Sequence, residues 1–583
     1  MRSHYCSTLT HLDVDKSVEL AGWVYRRRDH GSLIFLDLRD VTGIVQVVFS
    51  PEIAPAAHEE AHEIKQEYVI RIEGKVALRP EGTENPHIPT GAVEVLVSSF
   101  EVLNTCRPLP FQLDDEEEPG ELVRLRYRYL DMRRPKVQEV FIARSRASQA
   151  VRSYLSSRGF FEIETPFLTK STPEGARDFI VPSRLNPGQF YALPQSPQIF
   201  KQILMVAGFD KYFQLVRCFR DEDLRADRQP EFTQLDLEMS FVDVEDVIEA
   251  SEGIMAVLYE SIRHEPLERP FRRMDYHEAV ERYGTDKPDL RLDLPMEELT
   301  SLFKGTEFGV FRKVIDEGGA IKGMLLKGRA LSRKDLDTAV ETAKSLGAGG
   351  LIWMRKEEGR LLSPIVKYLK EQECSAIDGV FHPGDGDAVF IMADGRARVN
   401  EIMGRFRLFL GEKYDLVRKG EHAFLWVVNF PLFEYSAEEK RYVARHHPFT
   451  SPKGPLKEFR GDYESMQARA YDLVLNGVEI GGGSIRIHHR DDQMEMFKLL
   501  GITEEEAVEQ FGFLLEALEM GAPPHGGIAF GIDRILMMLL GLESIRDVIP
   551  FPKTQKGTCL LSGAPSSVRQ KQLAELKLRV TKE

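Results

Sequence analysis

Nine charges fall within nineteen residues in the stretch CFRDEDLRADRQPEFTQLD, positions 218–236. The flanking segments YFQLVRCFR and FTQLDLEMSF alternate apolar and polar residues, so the charged run is predicted to be the loop of a long β-hairpin. Arg220 and Glu222 lie two apart at the strand end and therefore point to one face. An arginine so placed can fork onto a phosphate while the carboxylate holds a base or an amine. The plainer alternative is a salt-bridged hairpin facing solvent. A second stretch, HGGIAFGIDRILMMLLGL at 525–542, is a glycine-punctuated strand running into an apolar helix. Its glycines allow close backbone approach, and Asp533 and Arg534 sit at the helix start, where anions are favoured. The third stretch, YDLVLNGVEIGGGSIRIH at 471–488, offers Asp472 and Glu479 as oxygen ligands for a hard cation such as Mg²⁺. Arg486 follows three glycines that would let a ligand lie against the backbone. Read alone, that stretch is also compatible with a glycine-rich turn carrying a surface arginine.

Positioning these groups requires a large scaffold. A chain of 583 residues is too long for one hydrophobic core and should divide into several domains. Residues 1–104 hold five short alternating segments separated by Gly, Pro and polar turns. They suggest a small closed barrel, for which the OB-fold is the commonest solution. Residues 105–135 form a hinge, with the acidic DDEEEPGE at 114–121 followed by the basic, aromatic RLRYRYLDMRRPK at 124–136. Helical spacing covers 137–158, then GFFEIETPFL reads as a strand stopped by Pro166. Residues 136–285 and 422–552 alternate strands with helices, one helix being announced by the capping box of Thr503 and Glu506. Between them, 286–421 has glycine-rich turns and no chemical motif, as an inserted α+β domain would. Residues 553–583 remain as a C-terminal extension. The fold class expected is thus multidomain α+β.

Hydrophobic content of 42% and charged content of 29% are those of an ordinary soluble protein. The opening MRSHYCSTLTHLDVDKSVEL has no apolar core, so no secretory leader is expected, and no apolar run approaches bilayer length. Five scattered cysteines argue for a reducing cytoplasm and against a disulfide framework or a Cys-based zinc site. A net charge of −15 leaves nucleic acid possible as a partner, since basic surface can be confined to one stripe.

Taken together, GFFEIETP, FRDE with RQPEFTQLD, and GGIAFGIDR resemble the three signature motifs of class II aminoacyl-tRNA synthetases, with Ala529 standing at the middle glycine of the third. The strings TPEGARDF, YALPQSPQIFKQ, HHPFTSP and GVEIGGGSIRIH are similar to bacterial aspartyl-tRNA synthetases over nearly the whole length. The resemblance implies an OB-fold that binds the anticodon and a catalytic domain on an antiparallel sheet. It also implies two steps, in which ATP and L-aspartate give an adenylate that is then transferred to tRNA. Arg220 would grip the α-phosphate and Arg534 the γ-phosphate, with Glu222 counted among the catalytic groups. Asp221, Glu222, Gln229, Glu479, Gly531, Ile532 and Asp533 complete the ATP-binding positions, and Asp472 and Glu479 those for Mg²⁺. Glu174, Gln198, Lys201, Asp236, His446 and Arg486 match the positions that bind aspartate, with Arg486 on its side-chain carboxylate. Arg28, Phe35, Gln46 and Glu94 match anticodon-contacting positions; for Phe35 alone, a core aromatic would be the simpler reading. The basic runs YRRR and RLRYRYLDMRRPK would carry the tRNA backbone. His30, with Gly82, is the combination that goes with charging tRNA-Asn as well as tRNA-Asp. Motif 1 builds the dimer interface in this family, which implies a homodimer and no membrane attachment.

Three other readings compete. RHHPF and RIHHR offer two histidine pairs, but neighbours on a strand face opposite ways and no HExxH spacing appears, which disfavours a zinc hydrolase. A catalytically inactive tRNA-binding paralogue is disfavoured because every charged group the chemistry needs is present. An asparaginyl- or lysyl-tRNA synthetase shares the architecture; Lys201, Arg486 and the insertion favour aspartate, and a strictly discriminating enzyme is the nearest alternative.

Overall fold

The computed structural model describes residues 2–114, 117–172, 175–437, 439–458, 462–463 and 465–581. The chain forms two compact units, residues 1–119 and 120–583. In the first, β1 (Ser17–Asp29), β2 (Ile34–Asp40), β3 (Gly43–Phe49), β4 (Val69–Leu78) and β5 (Val93–Asn104) close into a barrel in the order β1-β2-β3-β5-β4. Alternate residues point inward, so Leu36, Leu38, Val45, Val47, Ile70, Ile72, Val95 and Val97 are fully buried together. Each contributes about 1.5–3 kcal/mol. The wall turns sharply at Gly74, beside a register shift between β4 and β5. A Cβ there would lie 2.5 Å from the Leu96 carbonyl oxygen, so only glycine fits.

The second unit begins at Gly120, so the segment expected to be a hinge folds with it from that point. The basic, aromatic stretch folds into the short helices Glu121–Arg126 and Arg128–Asp131. Arg128 is buried, donating to the carbonyls of Arg546, Ile549 and Pro550 and pairing with Asp131, which also holds Arg134. These two arginines are spent on folding, which corrects the expectation that the whole run serves a phosphate backbone.

After the helix Pro135–Ser157, the chain adds β6 (Phe161–Glu162), the ribbon β7 (Ile180–Pro182) and β8 (Phe190–Ala192), then β9 (Lys211–Phe219), β10 (Glu231–Ser240) and β11 (Arg272–Asp275). The strand expected across GFFEIETPFL shrinks to the two residues of β6, a parallel edge partner of β9. The insertion supplies β12 (Met296–Glu298), β13 (Ala320–Leu326), β14 (Ile352–Glu357), β15 (Arg360–Leu362) and β16 (Ala388–Asp394). Then follow β17 (Phe424–Val428), the ribbon β18 (Phe433–Ser436) and β19 (Arg441–Ala444), β20 (Ala470–Leu475), β21 (Val478–Ile485) and β22 (His525–Gly531).

The main sheet has eight strands in the order β11-β17-β20-β21-β22-β10-β9-β6, antiparallel except at its two margins. Strand β10 shows how it is used. Leu235, Leu237 and Met239 pack down onto the helices Pro135–Ser157 and Val244–Arg263, while Gln234, Asp236 and Glu238 are buried polar groups on the opposite face. The insertion is a five-stranded sheet, order β12-β13-β16-β14-β15, with helices on both faces. In β16, Phe390 and Met392 join one apolar cluster and Val389 and Ile391 the other. Among the described residues no helix is long and apolar enough to cross a membrane.

Candidate active site

The polar face of β10, together with β21, β22 and the helix Gln198–Val206, lines a cavity of about 430 Å³. At its deep end four charges form a closed network. The Arg486 guanidinium donates from Nε and Nη2 to Glu238 at 2.9 and 3.2 Å, and from Nη1 to Ser484 Oγ at 2.8 Å. Lys201 Nζ lies 3.1 Å from Asp236 and 3.4 Å from Glu238. None of the four is more than 4% exposed. Burial opposes ionisation of Glu238, but Arg486 and Lys201 outweigh it and hold the carboxyl below its usual range. For Asp236 burial prevails over Lys201, and its pKa is raised. His447 is pushed down to about 3 by burial, then by Arg486, Lys201 and His446, and stays neutral.

The phosphate-binding groups expected from the sequence line the same cavity and are more exposed than this network. Arg220 leaves the end of β9 and stacks over the Phe232 ring at 5.2 Å, with its Nε buried and without a hydrogen-bond partner among the described residues. Arg534, in the first turn of the helix Ile532–Leu539, donates to the Glu479 carbonyl at 2.8 Å and to Asp227 at 3.2 Å. Glu222 pairs with Arg228 at 2.9 Å. Gln198 Nε2, Asp236 Oδ2, His446 Nδ1, His447 Nε2 and Arg534 Nε are likewise buried and lack a hydrogen bond among the described residues. Leaving such groups unsatisfied costs about 1–3 kcal/mol each. Their gathering around one cavity marks a site shaped for a polar ligand.

Asp472 on β20 faces Glu479 across the hairpin formed with β21. A Cβ on Gly482 would lie 2.8 Å from Asp472 Oδ1 and 3.4 Å from Glu479 Oε1, so glycine clears the space both carboxylates share. Glu479 has a raised pKa, first because of the Asp472 charge and then because of burial, against Lys287, His446 and Arg534. His446 Nε2 donates to the Asp472 carboxylate at 3.2 Å. Burial works against a proton on His446, but Asp472 and Glu479 outweigh it and raise the pKa. Two crowded hard-oxygen donors of like charge are a donor set that would suit a divalent cation.

Most residues singled out in the sequence do line this cavity: Gln198, Lys201, Arg220, Glu222, Gln229, Asp236, His446, Asp472, Glu479, Arg486, Gly531, Asp533 and Arg534. Four need correction or qualification. Asp221 turns away from it, half-exposed, with its backbone bonded to Arg177 and its carboxylate 3.8 Å from that guanidinium. Ile532 packs into the core beneath the sheet. Asp533 gives both carboxylate oxygens to the fold, one to Arg144 and one to the Thr233 backbone N–H at 2.6 Å. Gln229 bonds the Lys553 backbone with both ends of its amide, accepting at 2.8 Å and donating at 3.1 Å, so it also braces the cavity wall. Glu174 lies outside the described residues. The sequence reading missed Glu238, His447 and Lys287. The alternation of FTQLDLEMSF, which puts Asp236 and Glu238 on one face, could have flagged the first.

On the barrel, Arg28, Gln46 and Glu94 are neighbours across three strands. Arg28 donates to Asp37 at 2.8 Å and to Gln46 at 3.0 Å, and Gln46 donates to Glu94 at 2.7 Å. Burial raises the Glu94 pKa against Gln46 and Arg79. Phe35 is half-buried on the outer face, not in the core, and meets His30 edge-on at 5.7 Å. Gly82 has φ of +83° with open space around its Cα.

Residues 120–555 match the family described as tRNA synthetases class II (D, K and N), and residues 18–103 match the OB-fold nucleic acid binding domain. The chain belongs to the class II tRNA synthetases. The synthetase is 53% identical to the aspartate–tRNA(Asp/Asn) ligase of Aquifex aeolicus over 99% of this chain and 98% of that protein. Its identity to the protein of the same name from Geotalea uraniireducens is 54%, again over 99% and 98%. Among solved structures, the asparaginyl-tRNA synthetase of Pyrococcus horikoshii complexed with asparaginyl-adenylate superposes with a TM-score of 0.58 at 20% identity. That match covers 94% of this chain and 98% of the other, and shows a shared fold.

Proposed function

We propose that the synthetase joins L-aspartate to tRNA-Asp and also to tRNA-Asn, by way of aspartyl-adenylate. The observation that carries the aspartate assignment is the buried Arg486–Lys201 pair at the closed end of the cavity. Glu238 answers Arg486 through two donors and Ser484 takes a third, so the guanidinium retains N–H groups for an incoming carboxylate, with the Lys201 ammonium beside it donating to Asp236. Asparagine would leave that charge incompletely answered, the kind of polar mismatch that discriminates by about 10⁴–10⁵. In the first step an oxygen of the aspartate α-carboxylate attacks the α-phosphorus of ATP and the bond to pyrophosphate breaks. The nucleophile is already an anion, so the protein contributes alignment and charge stabilisation. Arg220 is suited to the α-phosphate, its Nε having no competing partner among the described residues, and Arg534 to the far end of the triphosphate. Asp472 and Glu479 would hold Mg²⁺, which supplies neutralisation of the phosphate charge. In the second step a terminal ribose hydroxyl of tRNA attacks the anhydride carbonyl and AMP leaves.

Tolerance of both tRNAs is supported by His30 beside Phe35 on the barrel and by the names of the relatives. A homodimer is supported by the exposed Phe161 on the edge strand β6, in contact with Phe209, and a cytoplasmic setting by the free cysteines. Charging assays on tRNA-Asp and tRNA-Asn transcripts test the reading. Aspartylation of both is expected; tRNA-Asp alone would refute the dual specificity, and neither would refute the activity.

A further inference from the structure

Residues 286–294 form the root of the inserted sheet, and they touch the hairpin carrying Asp472 and Glu479. Lys287 Nζ lies 3.6 Å from Glu479 Oε2 and 3.5 Å from Asp286 Oδ1. The root is fixed on all sides. Gly284, at φ +71°, sits so close to the helix Arg396–Lys413 that a Cβ would lie 2.2 Å from the Asn400 carbonyl oxygen. Arg407 of that helix is buried and donates to the carbonyls of Asp289 at 2.8 Å and Leu294 at 3.0 Å, its guanidinium over Tyr283 at 5.0 Å. Asp286 is held by Arg445 at 3.0 Å. On the hairpin side, a Cβ on Gly477 would lie 3.0 Å from Asp289 Cβ.

We propose that Lys287 is a built-in counter-cation for the Asp472–Glu479 pair, positioned by the root of the inserted domain, and that a divalent cation must displace its ammonium from Glu479. The inference rests on reading Asp472 and Glu479 as cation ligands. It gives the insertion a chemical role, because a domain clamped through Arg407 then sets how strongly those carboxylates compete for metal. Lys287 is a positioning residue, acting through Glu479.

Removing a unit charge a few ångströms from a divalent ion is worth on the order of tenfold in affinity even where water screens it well. The test is Mn²⁺ titration of the full-length enzyme, followed by the electron paramagnetic resonance signal of free Mn²⁺, with a non-hydrolysable ATP analogue present. Lys287→Met should bind Mn²⁺ about tenfold more tightly than wild type, with Lys287→Gln read in its place should the methionine variant not accumulate. Lys287→Arg should restore the wild-type affinity. Unchanged or weaker binding in the neutral variants would overturn the proposal while leaving the cation site intact. Asp472→Asn separates the two claims: if it binds Mn²⁺ as wild type does, the reading of the carboxylates as ligands falls, and the role of Lys287 with it.

Discussion

Replacing Arg220 by methionine should separate stability from catalysis. Its guanidinium stacks on Phe232 at 5.2 Å, and its buried Nε has no hydrogen-bond partner among the described residues. Losing the stack costs about 0.5–1 kcal/mol, while removing a buried unsatisfied donor returns about 1–3 kcal/mol. The variant should therefore be at least as resistant to urea as the wild type. For the reaction the sign reverses. A preorganised donor aimed at charge developing on a phosphorus is worth about 2.7–4 kcal/mol, or 10²–10³ in kcat. The assay is aspartate-dependent exchange between ATP and pyrophosphate, run beside urea unfolding on the same preparation. A loss of exchange with an unfolding midpoint no lower than wild type is expected. Exchange within about fivefold of wild type, or a loss matched by a fall in stability, would rule out a role for Arg220 at the reacting phosphate.

Other outcomes follow from the same geometry. Gly482→Ala puts a methyl group 2.8 Å from Asp472 Oδ1, and should raise the Mg²⁺ concentration for half-maximal exchange by about tenfold or more. Asp533→Asn weakens a carboxylate that is 1% exposed and bonded to Arg144 and Thr233, and should cost about 3–5 kcal/mol in urea unfolding. Glu281 links the helix Tyr276–Tyr283 to the insertion. Burial alone would raise its pKa, but hydrogen bonds from Lys322 and Asn400 and the charge of Arg396 outweigh it and lower the pKa. A carboxylate depressed on folding stabilises above its unfolded pKa, and that contribution is lost as pH falls through the folded value. Glu281→Gln should therefore differ from wild type near neutrality, and the two unfolding midpoints should converge below about pH 4.

Local pattern told most about the scaffold. Five alternating segments became the barrel strands, the charged run became the β9–β10 loop, and Thr503 with Glu506 caps the helix Glu504–Glu519. The gaps have a common physical origin. Alternation tells which face of a strand a side chain occupies, but not which distant residue waits there. Glu238 meets Arg486 across 248 positions of chain, and Arg128 reaches carbonyls beyond residue 545. Asp533 and Gln229 line the cavity as their motif positions suggested, yet their long-range bonds to Arg144 and to the Lys553 backbone could not be read from the local pattern. Lys287 sits in a segment without a motif, and only the docking of the root against the β20–β21 hairpin gives it meaning.

The most direct test of the central claim is a crystal structure of the enzyme with a non-hydrolysable aspartyl-adenylate analogue. The aspartate side chain should lie against Arg486 and Lys201, and Arg220 within hydrogen-bonding distance of the group that replaces the phosphate. An analogue bound with its side chain away from Arg486, or with Arg220 turned out to solvent, would contradict that claim.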